Sequence, residues 1–592
     1  MFEKIIRKYN INTRGMVING SVALIIVVII AKFLGEKNIM LAIPLALTSA
    51  VLGRQNLYVK PVNKMFKFII IDIIIVICAF IASLNMWSGI IVDLLSIFLI
   101  IYMMVSPYDL TFYKPFLMLY IFSQYSKISI LELPSRIMVI VIGLVVILVV
   151  NYIKKINEKD ILGNSIRKSM NLIKEQLENI SKESYDNKLE EKCSIIMRGL
   201  AYRIYITRYR KYFTTNLGTI QFNLYMNIEY LNLYLKEIQV KFARENINED
   251  YLKNIRLQID NIIEICSENK VENNEKTIDD TYYEYKYCNK DLDFLQNIIK
   301  EIFLNIKRLK NINIKDINKI YKEWERDDFD KTSKVFKEYL RVDSIRFKFA
   351  MRMAVVLTIA LFSAEVLGFY KIIWAVITVM SVMQPYYEDT IKKTKDRIIG
   401  NVVAIIFTGV IINIINTKYF TITILVISTY LLFAFKDYSK ISLFAAISSI
   451  CLSSLSESIN ILIFYRVIYV IVGLIIVLIA NKFIFPYRLK DGLVQLKEKI
   501  IRYDNYFIES IKENLVHKNK ENRIRDLIVH ITLLNEKLYL RNLQCKDKKI
   551  NEFINLNNNF IVKIGYDMLI NDNKNKKEKI DKEIYEMYRK IN

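Results

Sequence analysis

The chain has 592 residues, 53% of them hydrophobic, and a formal net charge of +24. Its apolar residues are gathered in two blocks, which excludes an ordinary soluble globular protein, and much of the basic excess flanks those blocks, so the charge argues for membrane topology and against nucleic acid as a partner. The six cysteines (Cys78, Cys193, Cys266, Cys288, Cys451, Cys545) form no CxxC pair, which argues against a zinc site or a disulfide framework; no metal and no cofactor is expected.

Lys4, Arg7, Lys8 and Arg14 precede the first apolar segment as in a signal sequence. No A-x-A-like cleavage site follows and more apolar segments come soon after, so the segment reads as a retained first helix. A bilayer core of about 30 Å takes about 20 apolar residues per helix. On that measure a first transmembrane block occupies residues 1–153, with spans near 16–34, 39–53, 66–84, 88–105, 110–125 and 135–153. Arg54, Lys60, Lys64 and Lys67 between the second and third spans mark a cytoplasmic loop.

Residues 154–345 form a cytoplasmic helical domain in this reading. Helical periodicity runs through Ile166–Ile180 and Leu292–Leu309, and no proline occurs between Pro134 and Pro385, so long helices packed as hairpins are predicted. The stretch 198–213 interleaves basic and aromatic residues; helix packing with exposed arginines is its default reading, with RNA, lipid headgroups or an acidic ligand as the alternatives. Asn269–Lys276 reads as a loop.

A second transmembrane block follows over 346–486, with spans near 347–368, 372–385, 398–416, 419–435, 441–456 and 461–485. Lys392, Lys393, Lys395 and Arg397 stand where the first block has its basic loop, and the opposite connections are short and poor in positive charge. Both termini are therefore predicted inside. Residues 487–592 form a C-terminal cytoplasmic helical domain, with Leu493–Ile511 and Ile524–Leu540 as amphipathic helices and Asn571–Lys579 as a loop or frayed end. The fold class is all-α, a polytopic membrane protein. Leu34-Gly35 and Leu367-Gly368 close the first span of each block, Lys64 and Arg397 keep the same offset, and Arg136 and Gly143 reappear seven apart as Arg466 and Gly473. With one orientation for both, the blocks are predicted to be a parallel repeat.

The second span of each block is short, one containing Pro44 and the other closing at Gln384 and Pro385. A broken helix at a transport site and a helix extended into the interface by Tyr386 and Tyr387 both fit this pattern. Trp374 lies at the outer end of that span, where an interfacial anchor or a ligand contact can be placed. Charges inside apolar spans are the sharper signal, because each is costly unless it faces a partner or a water-filled cavity. Arg136 and Arg466 stand in the outer third of the two sixth spans, Asp72 in the third, Asp93 in the fourth and Glu365 near the end of the seventh. Paired guanidiniums make a positive constriction suited to a carboxylate; snorkelling outward, or pairing with Glu132 and Glu457, is the alternative for both arginines. Arg352 is close enough to the cytoplasmic end to snorkel, and is otherwise a site candidate.

His517 and His530 both fall in the C-terminal cytoplasmic region, so no histidine proton relay is expected in the membrane. No GxxxxGK[ST], GxSxG or HExxH occurs, so neither ATP-driven pumping nor hydrolase chemistry is expected; the chain is not read as an enzyme and has no catalytic residue. Active transport would then need an ion gradient or a separate protein.

The run Ile345–Ile406 resembles the fusaric acid resistance, or aromatic acid exporter, family. The shared pattern is an early Arg (Arg352), Trp-Ala-Val-x-Thr (Trp374 to Thr378), a closing Gln384-Pro385, Arg397 shortly before Gly400, and a last helix with Arg466 and Gly473 that ends at Pro486. The first block departs from it, with Leu41 in place of the Trp and Val51-Leu52 in place of Gln-Pro. The resemblance implies a bacterial inner-membrane protein that exports aromatic and other organic acids, distantly similar to the plant aluminium-activated malate transporters, which conduct organic anions through a dimer of six-span subunits. In that reading Arg136 and Arg466 attract the anion, Trp374 and Gln384 shape the break beside Pro385, Arg352 and Arg397 hold the cytoplasmic mouth, and Asp72 lines the path. Expected partners are a small organic anion and membrane lipid, with a homo-oligomer or an accessory membrane protein left open. A passive anion channel, and a membrane-anchored regulatory or scaffold protein, are the alternatives.

Overall fold

The computed structural model describes residues 11–52, 61–105, 110–154, 158–182, 184–206, 213–245, 249–267, 290–311, 320–325, 341–368, 371–415, 417–455, 457–517 and 521–570. The loops expected at Asn269–Lys276 and Asn571–Lys579, and part of the basic-aromatic stretch 198–213, lie outside these residues. The chain divides into two compact units, one drawn from 1–57, 61–153 and 331–492, the other from 58–60, 154–330 and 493–592.

The first unit contains α1 (Thr13–Phe33), α2 (Ala42–Leu52), α3 (Pro61–Leu84), α4 (Met86–Met104), α5 (Lys114–Tyr125) and α6 (Leu133–Lys154), then α12 (Ile345–Leu367), α13 (Ile373–Val382), α14 (Tyr387–Ile414), α15 (Lys418–Leu432), α16 (Tyr438–Ser454) and α17 (Ile459–Phe483). Local chemistry sets several starts. Asn12, Asn85 and Ser344 turn their side-chain oxygens onto the backbone N–H groups of Gly15, Trp87 and Phe347, satisfying donors that a helix cannot satisfy internally. Gly35 and Gly368, after the first helix of each block, both take positive φ, at 85° and 55°, where glycine has no Cβ penalty.

Twelve spans are predicted from sequence, but only six helices among the described residues are long and apolar enough to cross a bilayer: Gly15–Phe33, Met65–Leu84, Met86–Met104, Ile130–Val150, Ile345–Leu367 and Ile459–Phe483. The others are shorter or more polar. α13 has 10 residues, about 15 Å of rise, and stops where Met383 and Gln384 leave helical geometry ahead of Pro385. α14 starts at Tyr387, well before the predicted 398, because Glu388 and Asp389 occupy its first turn and its apolar part follows a charged one. One hydrophobic core joins residues of both blocks, from Val22 and Ile97 to Phe349 and Val477. α12 packs on α4 within it, and α1 packs on α15.

The second unit holds α7 (Glu158–Ile180), α8 (Asn187–Ile206), α9 (Asn216–Glu245), α10 (Glu249–Ser267), α11 (Lys290–Asn311), α19 (Glu521–Cys545), α20 (Lys548–Leu569) and most of α18 (Leu489–His517). Their buried stripes follow helical spacing, as Ile166, Met170, Ile173 and Leu177 do on α7, and pairs such as α7 with α8 and α19 with α20 pack together. The all-α expectation holds, with one short addition. β1 (Phe213–Thr215) pairs antiparallel with β2 (Ile320–Glu325) in a two-stranded ribbon.

Candidate functional site

Arg352, for which snorkelling and a place in the site are both open from sequence, does not snorkel: it has no exposed surface. One guanidinium nitrogen donates to Gln384 O at 2.9 Å and Pro385 O at 2.8 Å, and another to Asn481 Oδ1 at 2.6 Å. These carbonyls are the ones left without helical partners when Pro385 ends α13, so the arginine caps the break. Thr390 Oγ1 accepts the Gln384 N–H at 3.1 Å and completes the capping, while the Gln384 side chain turns back to Met383 O. The Gln-Pro pair is thus a fixed corner.

Arg136 does similar work in the first block. Its guanidinium donates to Ser123 O and Ser126 O, both at 2.7 Å, to Ser126 Oγ at 3.0 Å and to Asn38 Oδ1 at 3.2 Å, and so caps the end of α5. Neither sequence alternative holds here. Glu132 is paired with Lys37 at 2.8 Å and Glu457 with Lys371 at 3.1 Å, and no described contact joins Arg136 to Arg466. Asp72 is 1% exposed, and its Oδ1 has no hydrogen-bond partner. Asp93, by contrast, accepts from Tyr120 at 2.6 Å and Gln124 at 3.0 Å.

Arg466 is different in kind. Tight helix packing places it: a Cβ on Gly473 would come within 2.8 Å of Thr378 Cβ and 3.0 Å of Ala375 O, so α17 lies directly on α13. Two turns earlier on α17, the Arg466 guanidinium sits 5.1 Å from the centre of the Trp374 ring. Trp374 is 5% exposed, so it is an interior platform and no interfacial anchor. Across from it, Gly400 lets α14 approach α16 so closely that a Cβ there would meet Ser439 O at 2.6 Å. That contact brings Asn401 to Ser442 Oγ at 3.3 Å and turns Asn401 Oδ1 toward Arg466 Nε at 3.1 Å.

Arg397 stands one turn before Asn401. Read from sequence as part of a cytoplasmic loop, it is 4% exposed inside α14 and is a charged neighbour of Arg466. Its Nε has no hydrogen-bond partner. Among the described residues no carboxylate forms an ion pair with either arginine. Two guanidiniums held close together without a counterion, one against an indole face, form a positive, partly aromatic enclosure suited to a carboxylate.

The structure therefore brings together Arg466, Trp374 and Arg397, while Arg352, Gln384 and Pro385 form a hydrogen-bonded corner, and no described contact joins Arg136 or Asp72 to either. Asn401, Ser442 and Tyr438 were missed from sequence. Residues 393, 397 and 401 recur every four along α14, and that spacing was the available signal. A groove of about 700 Å³ lies along α12, α13 and α17, lined by Val356, Ala360, Ser363, Val376, Tyr465 and Tyr469 among others. No charged residue lines it, and it lies within the second block instead of where the blocks meet.

A multi-span helical membrane protein with buried, uncompensated guanidiniums is the class that this arrangement defines. Residues 359–480 match the family described as fusaric acid resistance protein-like, as the sequence resemblance implies for the second block. The chain is also 26% identical over 185 residues to the inner membrane protein YccS of Escherichia coli (strain K12), a match covering 31% of this chain and 26% of that protein. No solved structure matches it.

Proposed function

We propose that the chain is a transporter of the bacterial inner membrane that exports small organic or aromatic carboxylates, with both termini cytoplasmic. The observation that carries this reading is the Arg466–Arg397 pair, buried against Trp374 without a counterion. A protein built for stability alone would pair or remove such charges, so their retention points to a mobile anion as the missing partner. The fusaric acid resistance-like match over 359–480 supports export as the direction, and the likeness to an inner membrane protein supports the location. A parallel repeat of six-helix blocks fits the reciprocal packing, in which the first helix of each block rests on the fourth of the other. The test is efflux of preloaded benzoate and fusaric acid from cells expressing the chain. Arg466→Ala is expected to lower efflux at least about tenfold at unchanged membrane abundance, the scale of one charged hydrogen bond. Unchanged efflux from that variant removes the assignment.

A further inference from the structure

Along one face of α14, below Asn401 and Arg397, the next residue is Lys393. Its ammonium lies 4.8 Å from the centre of the Tyr438 ring on α16. Beside it stands Lys114 of α5, near enough for a hydrogen bond although both groups are donors. Burial first, and Lys114 second, hold the Lys393 ammonium well below the usual lysine range. Asp389 and Asp396, on its own helix, act on it in the opposite sense and more weakly.

The surroundings add polar groups whose own hydrogen bonds are not made. Tyr113 Oη, Tyr438 Oη and Arg397 Nε are all buried without a hydrogen-bond partner. Tyr113 is 1% exposed and is an electrostatic neighbour of both Tyr438 and Arg352, which places these groups in one locale. Lys114 is the first residue of α5 and Tyr438 the first of α16, so two helix N-termini, each with its partial positive charge, end there. Buried polar groups are rarely left unsatisfied, and here the orphans cluster around two adjoining ammonium groups. Water could accept from the hydroxyls, but an oxyanion would also favour the charged form of the lysines.

We infer that Lys114, Lys393, Arg397, Tyr113 and Tyr438 form an oxyanion-binding site where the first and second blocks meet at the charged end of α14. Carboxylate and phosphate share the chemistry it recognises: ammonium and guanidinium groups neutralise the charge, and the phenols donate to the remaining lone pairs. A soluble anion and the phosphate of a lipid headgroup both present it. The site stands on its own geometry and does not need the transport reading; if that reading holds, this is the cytoplasmic mouth of the route.

The test is binding to the full chain, purified and delipidated in detergent, by isothermal titration with sodium succinate, sodium benzoate and inorganic phosphate against a chloride background. A parallel arm adds phosphatidylglycerol micelles as the lipid source. The expected result is saturable binding of at least one oxyanion, weakened at least about tenfold by Lys114→Gln with Lys393→Gln, several-fold by Tyr438→Phe, and retained by Lys393→Arg. Arg466→Gln should still bind at this site, so loss of transport in that variant and loss of this site read out separately. Binding of the micelles alone assigns the site to a headgroup. The inference is overturned if no oxyanion binds above chloride in either arm, or if the double lysine variant, monodisperse on size exclusion, binds as the wild type does.

Discussion

The two blocks use one sequence device for two purposes. Each ends in a long apolar helix with an arginine followed seven residues later by a glycine, and in each the glycine lies against the short second helix: Gly143 against Leu45, Gly473 against Thr378. Arg136 spends its hydrogen bonds on carbonyls at the end of α5, whereas Arg466 makes one side-chain bond, rests on Trp374 and neighbours another arginine. Capping in the second block falls to Arg352 instead. The difference teaches that burial of an arginine does not by itself mark a site. What its donors already hold does.

Stability measurements break or sharpen this contrast. The largest effect is expected from Arg352→Ala and Arg136→Ala, which leave backbone carbonyls at helix ends without their donors. Each should cost roughly 2–4 kcal/mol, three or four charge-assisted bonds discounted for the modest worth of such bonds in membranes, and should lower the melting temperature of the detergent-solubilised chain. A melting temperature equal to wild type would refute the capping role.

Next comes Gly473→Leu. The new side chain has to displace Thr378 and the Ala375 carbonyl, at a cost of roughly 1–3 kcal/mol by overpacking, and it shifts Arg466 off Trp374. Efflux should fall together with stability. A variant that keeps both intact shows that the close approach of α17 to α13 is dispensable.

The smallest expected effect lies in the second unit and involves no arginine pair. Glu229 of α9 is 5% exposed and accepts from Ser194 Oγ at 3.0 Å. Burial pushes its carboxyl up to about 7, against the lowering influence of Arg198. Because the folded pKa is the higher one, the folded chain keeps a proton that the unfolded chain has released. Stability is full below the ordinary glutamate range and declines as pH rises from there to about 7. Glu229→Gln should remove a pH dependence on the order of 1 kcal/mol between pH 5 and 7.5, read from melting temperatures. An unchanged slope would place that titration elsewhere, for example at Asp504, whose buried carboxyl is also raised to about 7.

Much of the scaffold was legible in the sequence because it rests on local chemistry. Apolar length gave six of the twelve predicted spans, Pro385 gave the end of α13, and the period of Ile166 to Leu177 gave the buried stripe of α7. The arginines were picked out as costly residues, but their partners were not, since Ser123 O, Gln384 O and Pro385 O are backbone atoms whose availability depends on where a helix stops in three dimensions. Trp374 stays open between anchor and ligand contact in the sequence for a related reason: a tryptophan near a span end looks like an anchor until a neighbouring helix covers it. Tyr113, Tyr438 and Lys114 carried no sequence signal because they converge from separate helices.

The central claim, that the Arg466–Arg397 pair serves an anion and not the fold, is tested most directly by measuring Arg466→Gln for melting temperature and for benzoate transport in proteoliposomes, side by side with Arg352→Ala. The account predicts a melting temperature equal to or above wild type, since one charge of a repelling pair is gone, together with loss of transport. A fall in stability as large as that of Arg352→Ala, or transport at the wild-type rate, would contradict it.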